Sequence, residues 1–210
     1  MVAVNDSNFL KEGLIVALCW WGWFENGEDQ DKNKEAREGI LSALLACFVA
    51  IIIARLAVLA LPFRVRPLCD PANGLHFVPS SSFNWQHWSS FPSDHAIMFF
   101  TLATCLFAVS RVLGWIALVH SAFVVCLPRV YLGIHYPTDI LAGAAIGVGV
   151  GCVAHQKAVR SFVAEVPFLW MRKRPGSFYA FFFLFMYEIT VLFNDVRHPA
   201  LQILKHFHVL

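Results

Sequence analysis

The sequence predicts an all-α integral membrane protein, a six-helix bundle with its functional face at the outer membrane surface. Three observations carry that expectation. Hydrophobic residues make up 58% of the 210 residues and aromatics 15%. Charged residues are only 14%, whereas a soluble domain has about 25%, so the chain holds roughly half the charge needed to cover a water-facing surface. The apolar residues are gathered into six runs, each near the length at which a helix crosses a hydrocarbon core about 30 Å thick. The same figures exclude disorder, collagen-like repeats and a secreted disulfide scaffold, and a net charge of +2 is no electrostatic footprint for a nucleic acid.

Taken in order, the runs cover about 9–24, 40–62, 95–110, 112–128, 139–155 and 178–194 of a single domain, 1–210. The first is short, as an interfacial or a partly truncated segment would be. It lacks a basic start and a small-residue cleavage site, so it does not read as a signal peptide. The last carries Glu188, for which a packed or partnered carboxyl is the ordinary reading. Between the runs lie a charged loop (Glu25–Glu38), an aromatic loop (Phe63–Ser93), a tight connection at Arg111, a short loop (Pro128–Thr138) and a basic loop (Gln156–Ser177). Cys19, Cys47, Cys105, Cys126 and Cys152 lie inside apolar runs and act as small hydrophobes, and no spacing reads as a metal site. Gly143, Gly147 and Gly151 recur every four residues, as close helix packing requires.

Lys and Arg in alternate loops set the orientation. Lys32, Lys34, Arg37, Arg111, Lys157, Arg160, Arg172, Lys173 and Arg174 fall on one side; Lys11, Arg64, Arg66, Arg129, Arg197 and Lys205 fall on the other. The richer side is expected to be cytoplasmic. Three stretches then share the outer face: Arg64-Val-Arg66-Pro67, Pro92-Ser93-Asp94-His95, and Pro128-Arg129-x5-His135-x3-Asp139. With 10 Arg, 9 His and 7 Asp in the chain, the Arg-x5-His-x3-Asp spacing is expected by chance about 0.014 times. The other two are weaker alone, since Ser and Asp before a helix are ordinary caps. Phe77, Phe83, Trp85, Trp88 and Phe91 read first as an interfacial aromatic belt and second as a lid for a lipid tail. His76 and His87 have no interpretable spacing.

These motifs resemble those of the type-2 phosphatidic acid phosphatase superfamily, whose pattern is Lys-x6-Arg-Pro, Pro-Ser-Gly-His and Ser-Arg-x5-His-x3-Asp. The resemblance covers about Arg55–Gly151. It implies hydrolysis of a lipid phosphate or polyprenyl diphosphate without metal or other cofactor, with the membrane as the setting. It further implies His135 as nucleophile, Asp139 as its orienting partner and His95 as general acid. Arg66, Arg129, Ser93 and nearby amides would hold phosphate. In a bacterium it implies the inner membrane with the site facing the periplasm. The chemistry agrees. A neutral imidazole is a competent nucleophile near neutral pH, a second His can donate a proton and later activate water, and guanidiniums offset phosphate charge. Pro137 suits the first helical position and places Asp139 within a turn of His135.

The sequence departs from that pattern at three points. Leu59 stands where the Lys belongs, leaving Arg55 or Arg64 as substitutes. Pro128 replaces the Ser before Arg129. Asp94 replaces Gly and either points at the phosphate site or, as expected here, turns outward onto the helix N-terminus. The competing class is a lipid-binding or scaffold relative that has lost turnover, kept open by Leu59 and Asp94. The joint presence of His95, Arg129, His135 and Asp139 argues against it. A transporter would need more mid-membrane charges than Arg55 and Glu188.

Overall fold

A computed structural model of the protein describes residues 9–25, 29–74 and 88–190. Among these residues there are seven helices and no strand. A π-helical turn (Phe9–Gly13) leads into α1 (Leu14–Phe24). It is followed by α2 (Gln30–Ala60), α3 (Asp94–Leu106), α4 (Arg111–Tyr131), α5 (Pro137–His155), α6 (Lys157–Lys173) and α7 (Pro175–Thr190). Three of them, α2, α4 and α5, are long and apolar enough to cross a membrane, and α3 is a shorter apolar helix.

Five of the expected segments coincide with α1 to α5, and the sixth with α7 as far as Thr190; residues 191–194 lie outside the described residues. The basic stretch expected to be a loop is instead the helix α6. Phe168 and Met171 pack against the core and Ala164 is buried, so spacing at helical intervals folds it despite Pro167 in its interior. The charged loop before α2 is likewise short. Asp29 caps that helix by accepting the amide of Lys32 at 3.1 Å, and the helix starts ten residues before its apolar run. In the aromatic loop, two 3₁₀ turns, Pro67–Cys69 and Pro71–Asn73, are seen. His76, Phe77, Phe83, Trp85 and His87 lie outside the described residues.

The central helix is α3, with Ile97, Met98, Phe99, Leu102 and Leu106 almost wholly buried. It packs on α2 through Ala50 and Ala54 and on α5 through the glycine stripe. A Cβ at Gly143 would stand 2.7 Å from the Ser93 carbonyl oxygen, and one at Gly147 would collide with the Ile97 carbonyl oxygen. Thr101 clasps the same contact, its hydroxyl donating to Ile97 at 2.7 Å and across to Gly147 at 3.1 Å. At the other end, Trp20 of α1 meets Phe182 of α7 edge to face, and Trp23 packs on it at a tilt. All six cysteines are free thiols, four of them buried.

Near its end α4 widens into a π-helical stretch, Ser121–Cys126, where the Leu127 amide reaches back to Ala122. Pro128 follows at once. Its ring would clash with a carbonyl one turn back and it has no amide to donate, so the wider turn absorbs it.

Gly147→Ala is expected to force α3 and α5 apart and to cost about 1–3 kcal/mol, read as a lowered melting temperature in detergent. Gly149→Ala on the same helix, with nothing within 4 Å of the added carbon, is expected to be neutral or slightly stabilising. Equal effects would refute close packing at Gly147.

Candidate active site

Two connections between helices, the α2–α3 connection by its two ends and the turn between α4 and α5, meet at one end of α3. The stretch after α2 pairs with the stretch before α3: the Ser90 amide donates to the Arg64 carbonyl at 2.9 Å, and the Arg64 amide to the Ser89 hydroxyl at 3.2 Å. The Leu68 amide donates to the Gly133 carbonyl at 2.8 Å, and the Ser93 amide to the Asp139 carbonyl at 3.3 Å. Gly133, with φ +68°, takes the left-handed conformation that ends α4 in a tight turn. That turn brings the amides of Ile134 and His135 back onto the Arg129 carbonyl, at 2.9 and 3.2 Å.

Arg66 is buried in the middle of these stretches. Its Nε donates to the Trp88 carbonyl at 3.1 Å, Nη2 to the Ser89 carbonyl at 3.2 Å and Nη1 to the Ile134 carbonyl at 2.9 Å. Nη1 is also 3.5 Å from Nε2 of His135. Burial lowers its pKa to about 10, opposed by Asp94 and Asp139 and aided by Arg129, so the group stays cationic at neutral pH.

His135 is 2% exposed. Its Nδ1 lies 2.8 Å from the Ser90 carbonyl oxygen and 3.6 Å from Oδ2 of Asp139. A carbonyl can only accept, so Nδ1 carries the hydrogen and Nε2 the lone pair. Nδ1 thus faces the Ser90 carbonyl and, slightly farther away, the Asp139 carboxylate expected to orient it. Asp139 is occupied otherwise, accepting the Tyr136 amide at 2.8 Å and Arg64 Nη1 at 2.6 Å. Arg64 also donates to Thr138 at 2.9 Å and lies over the Tyr136 ring at 4.2 Å. Burial lowers the pKa of His135, the Asp139 contact opposes this, and the charges of Arg66 and Arg129 add to it.

At the start of α3, Ser93 caps the helix by accepting the Ala96 amide at 3.4 Å. Asp94 does not turn outward. One oxygen accepts from the His95 amide at 2.8 Å and sits 2.9 Å from His95 Nδ1, and the other accepts from Arg55 Nη2 at 3.1 Å. The two arginines expected to replace the missing Lys are thus each bonded to a carboxylate, Arg55 to Asp94 and Arg64 to Asp139. Leu59 is 82% exposed; a side chain there faces away from the site, while Arg55, one turn earlier on α2, faces Asp94.

Arg129 is buried, and its Nε has no hydrogen-bond partner among the described residues; neither has the buried Ser90 hydroxyl. Donors left unmatched at a cluster of cations suit an anion. Sequence reasoning missed Ser90, whose role lies in a backbone carbonyl, and Tyr136, whose amide and ring fix Asp139 and Arg64. It also missed Lys11 and Glu12, buried beside each other at 3.8 Å. The Lys11 charge acts on His95 and that of Glu12 on Arg129. A charged pair at the edge of an apolar run was the available signal.

Residues 39–162 match the family model of the PAP2 superfamily. The chain belongs to that superfamily. Curated relatives agree with the assignment. The bacitracin transport permease protein BcrC of Bacillus licheniformis is 47% identical over 60 residues, 29% of each chain. A putative undecaprenyl-diphosphatase, YbjG, of Escherichia coli is 37% identical over 83 residues, 38% of this chain and 41% of that one. The undecaprenyl-diphosphatase BcrC of Bacillus subtilis is 27% identical over 153 residues, 72% of this chain and 69% of its own. The matched stretch thus spans less than half of the first two relatives. No solved structure matches. With three helices of membrane-crossing length and apolarity, this PAP2 chain is an integral membrane protein, and the family resemblance of its motifs is borne out.

Arg66→Ala would leave the Trp88, Ser89 and Ile134 carbonyls without their donor. The expected cost is about 3 kcal/mol or more, read as a lowered melting temperature in detergent. An unchanged melting temperature would show that the two connections hold together without it.

Proposed function

We propose that the protein is a membrane phosphatase that hydrolyses a lipid phosphate or polyprenyl diphosphate, without a metal, through a phosphohistidine on His135. The observation that carries this reading is the His135 ring. Its Nδ1–H is taken by the Ser90 carbonyl at 2.8 Å, which leaves the Nε2 lone pair beside the Arg66 guanidinium at 3.5 Å. A neutral nucleophile next to a fixed cation is what attack on an anionic phosphorus centre requires. Arg129, with its unmatched Nε, and the amides at the start of α3 would hold the phosphate oxygens together with Arg66.

In the first step Nε2 forms a bond to phosphorus as the bond to the leaving oxygen breaks, and His95 gives that oxygen a proton. In the second step water attacks phosphorus, His95 takes its proton, and the N–P bond returns its electron pair to Nε2 as inorganic phosphate leaves. The names of the relatives from Escherichia coli and Bacillus subtilis favour a polyprenyl diphosphate within the substrate class. The asymmetry of Lys and Arg between loops supports a site at the outer face, which in a bacterium is the periplasmic side of the inner membrane.

Purified protein in detergent with EDTA is expected to release phosphate from undecaprenyl diphosphate or another member of a lipid-phosphate panel. His135→Ala is expected to lose at least about 10³-fold of that rate. No release from any substrate by folded wild type would favour a lipid-binding relative without turnover, and release surviving the substitution would remove His135 as nucleophile. Because the pKa of His135 lies below the ordinary 6.5, the ring loses its proton at lower pH than a free imidazole. The acid limb of kcat/KM is therefore expected below pH 6.5, with the nucleophile mostly neutral above it. An acid limb above that value would contradict the environment described for the ring.

A further inference from the structure

Asp94, the residue that departs from the family pattern, lies between His95 and Arg55. Its Oδ1 faces His95 Nδ1 at 2.9 Å, and its Oδ2 accepts from Arg55 Nη2 at 3.1 Å. An ionised carboxylate can only accept, so the hydrogen on this ring sits on Nδ1 and Nε2 is left as the working nitrogen. The ring is further set by lying parallel to Phe99 (centroids 6.4 Å apart, planes 6° apart). Capping alone does not explain Asp94: Ser93 is the N-cap of α3, and Asp94 Oδ1, besides accepting the His95 amide at 2.8 Å, faces the His95 ring. Nor is Arg55 an idle surface group. It projects from an apolar stretch of α2, where a guanidinium is costly unless partnered, and it is held by Asp94 and by the Trp88 ring at 5.9 Å.

The charges that face His95 come from three elements: Asp94 on its own helix, Arg129 on α4 and Lys11 on the N-terminal turn. Two cations oppose an imidazolium there, and Asp94 is the anion that supports one. We propose that Asp94 is a positioning residue for His95, fixing Nε2 as the proton-donating nitrogen and keeping the donated proton available, while Arg55 anchors Asp94 in turn. The inference rests on the phosphatase reading and on His95 as its general acid.

A leaving group that needs no proton separates this role from phosphate binding and from simple support of the fold. Asp94→Asn is compared with wild type on decyl phosphate, whose alkoxide must be protonated, and on p-nitrophenyl phosphate, whose phenolate leaves unaided. The expected result, read as kcat/KM so that phosphorylation counts and the later water attack assisted by His95 does not, is a value on decyl phosphate reduced about 10²-fold, a value on p-nitrophenyl phosphate within about threefold of wild type, and a basic limb of the decyl phosphate profile moved to lower pH. Arg55→Gln is expected to show the same leaving-group dependence at smaller size, which keeps the test available should Asp94→Asn fold poorly. Equal losses of kcat/KM on both substrates, in whichever variant folds, would overturn the positioning role while leaving the phosphatase intact. Absence of release from either substrate by wild type would overturn the phosphatase reading itself and this inference with it.

Discussion

The guanidinium of Arg66 joins what the rest of the site is built on. Its three bonds run to carbonyls on both sides of the central helix, two from the stretch that enters α3 and one from the turn that leaves α4. Those stretches carry Ser90 and, 45 positions later, His135, and the first of them leads into His95 at the start of α3. A buried charge satisfied by backbone oxygens fixes position more strictly than apolar contact does, because each bond has a direction as well as a distance. It also leaves a positive charge beside Nε2 of His135, so one group both shapes the site and supplies part of its electrostatics.

The helices beneath the site are held to the same standard of closeness. Gly143 and Gly147 let α5 lie directly on the backbone of α3, and the Ser93 amide bonds to the Asp139 carbonyl where the two helices begin. The start of α3, with Asp94 and His95, and the start of α5, with Asp139, are thereby fixed relative to each other before any side chain takes part. Around them two ion pairs, Arg55 with Asp94 and Arg64 with Asp139, have one partner each in the connections or on α2. Their geometry resembles a pair of braces, one behind each histidine.

Much of this was legible in the sequence because it depended on residue type and spacing. The composition and apolar runs gave helices of membrane-crossing length, and Arg129, His135 and Asp139 were found from a spacing too rare to be accidental. What the sequence concealed lies where backbone atoms do the work. Ser90 orients His135 through a carbonyl that every residue possesses, and so do Trp88, Ser89 and Ile134 toward Arg66. Asp94 was expected to face outward because a carboxylate favours a helix N-terminus and an anion site repels it. The decisive partner, Arg55, lies 39 positions earlier on another helix. The helix α6 was concealed differently: its charged residues obscure an apolar face that only helical spacing reveals.

The turn at Gly133 has a consequence for how the site meets the bilayer. Arg129 and His135 are joined through one carbonyl that receives the amides of Ile134 and His135, so they form one rigid piece at the junction of α4 and α5. Bilayers differ in thickness, and spanning helices accommodate them by tilting. A tilt of α4 against α5 then carries the backbone of Arg129 and that of His135 along together. Lipid composition can alter the depth at which a headgroup is presented, while the separation between those two groups is set by the chain itself.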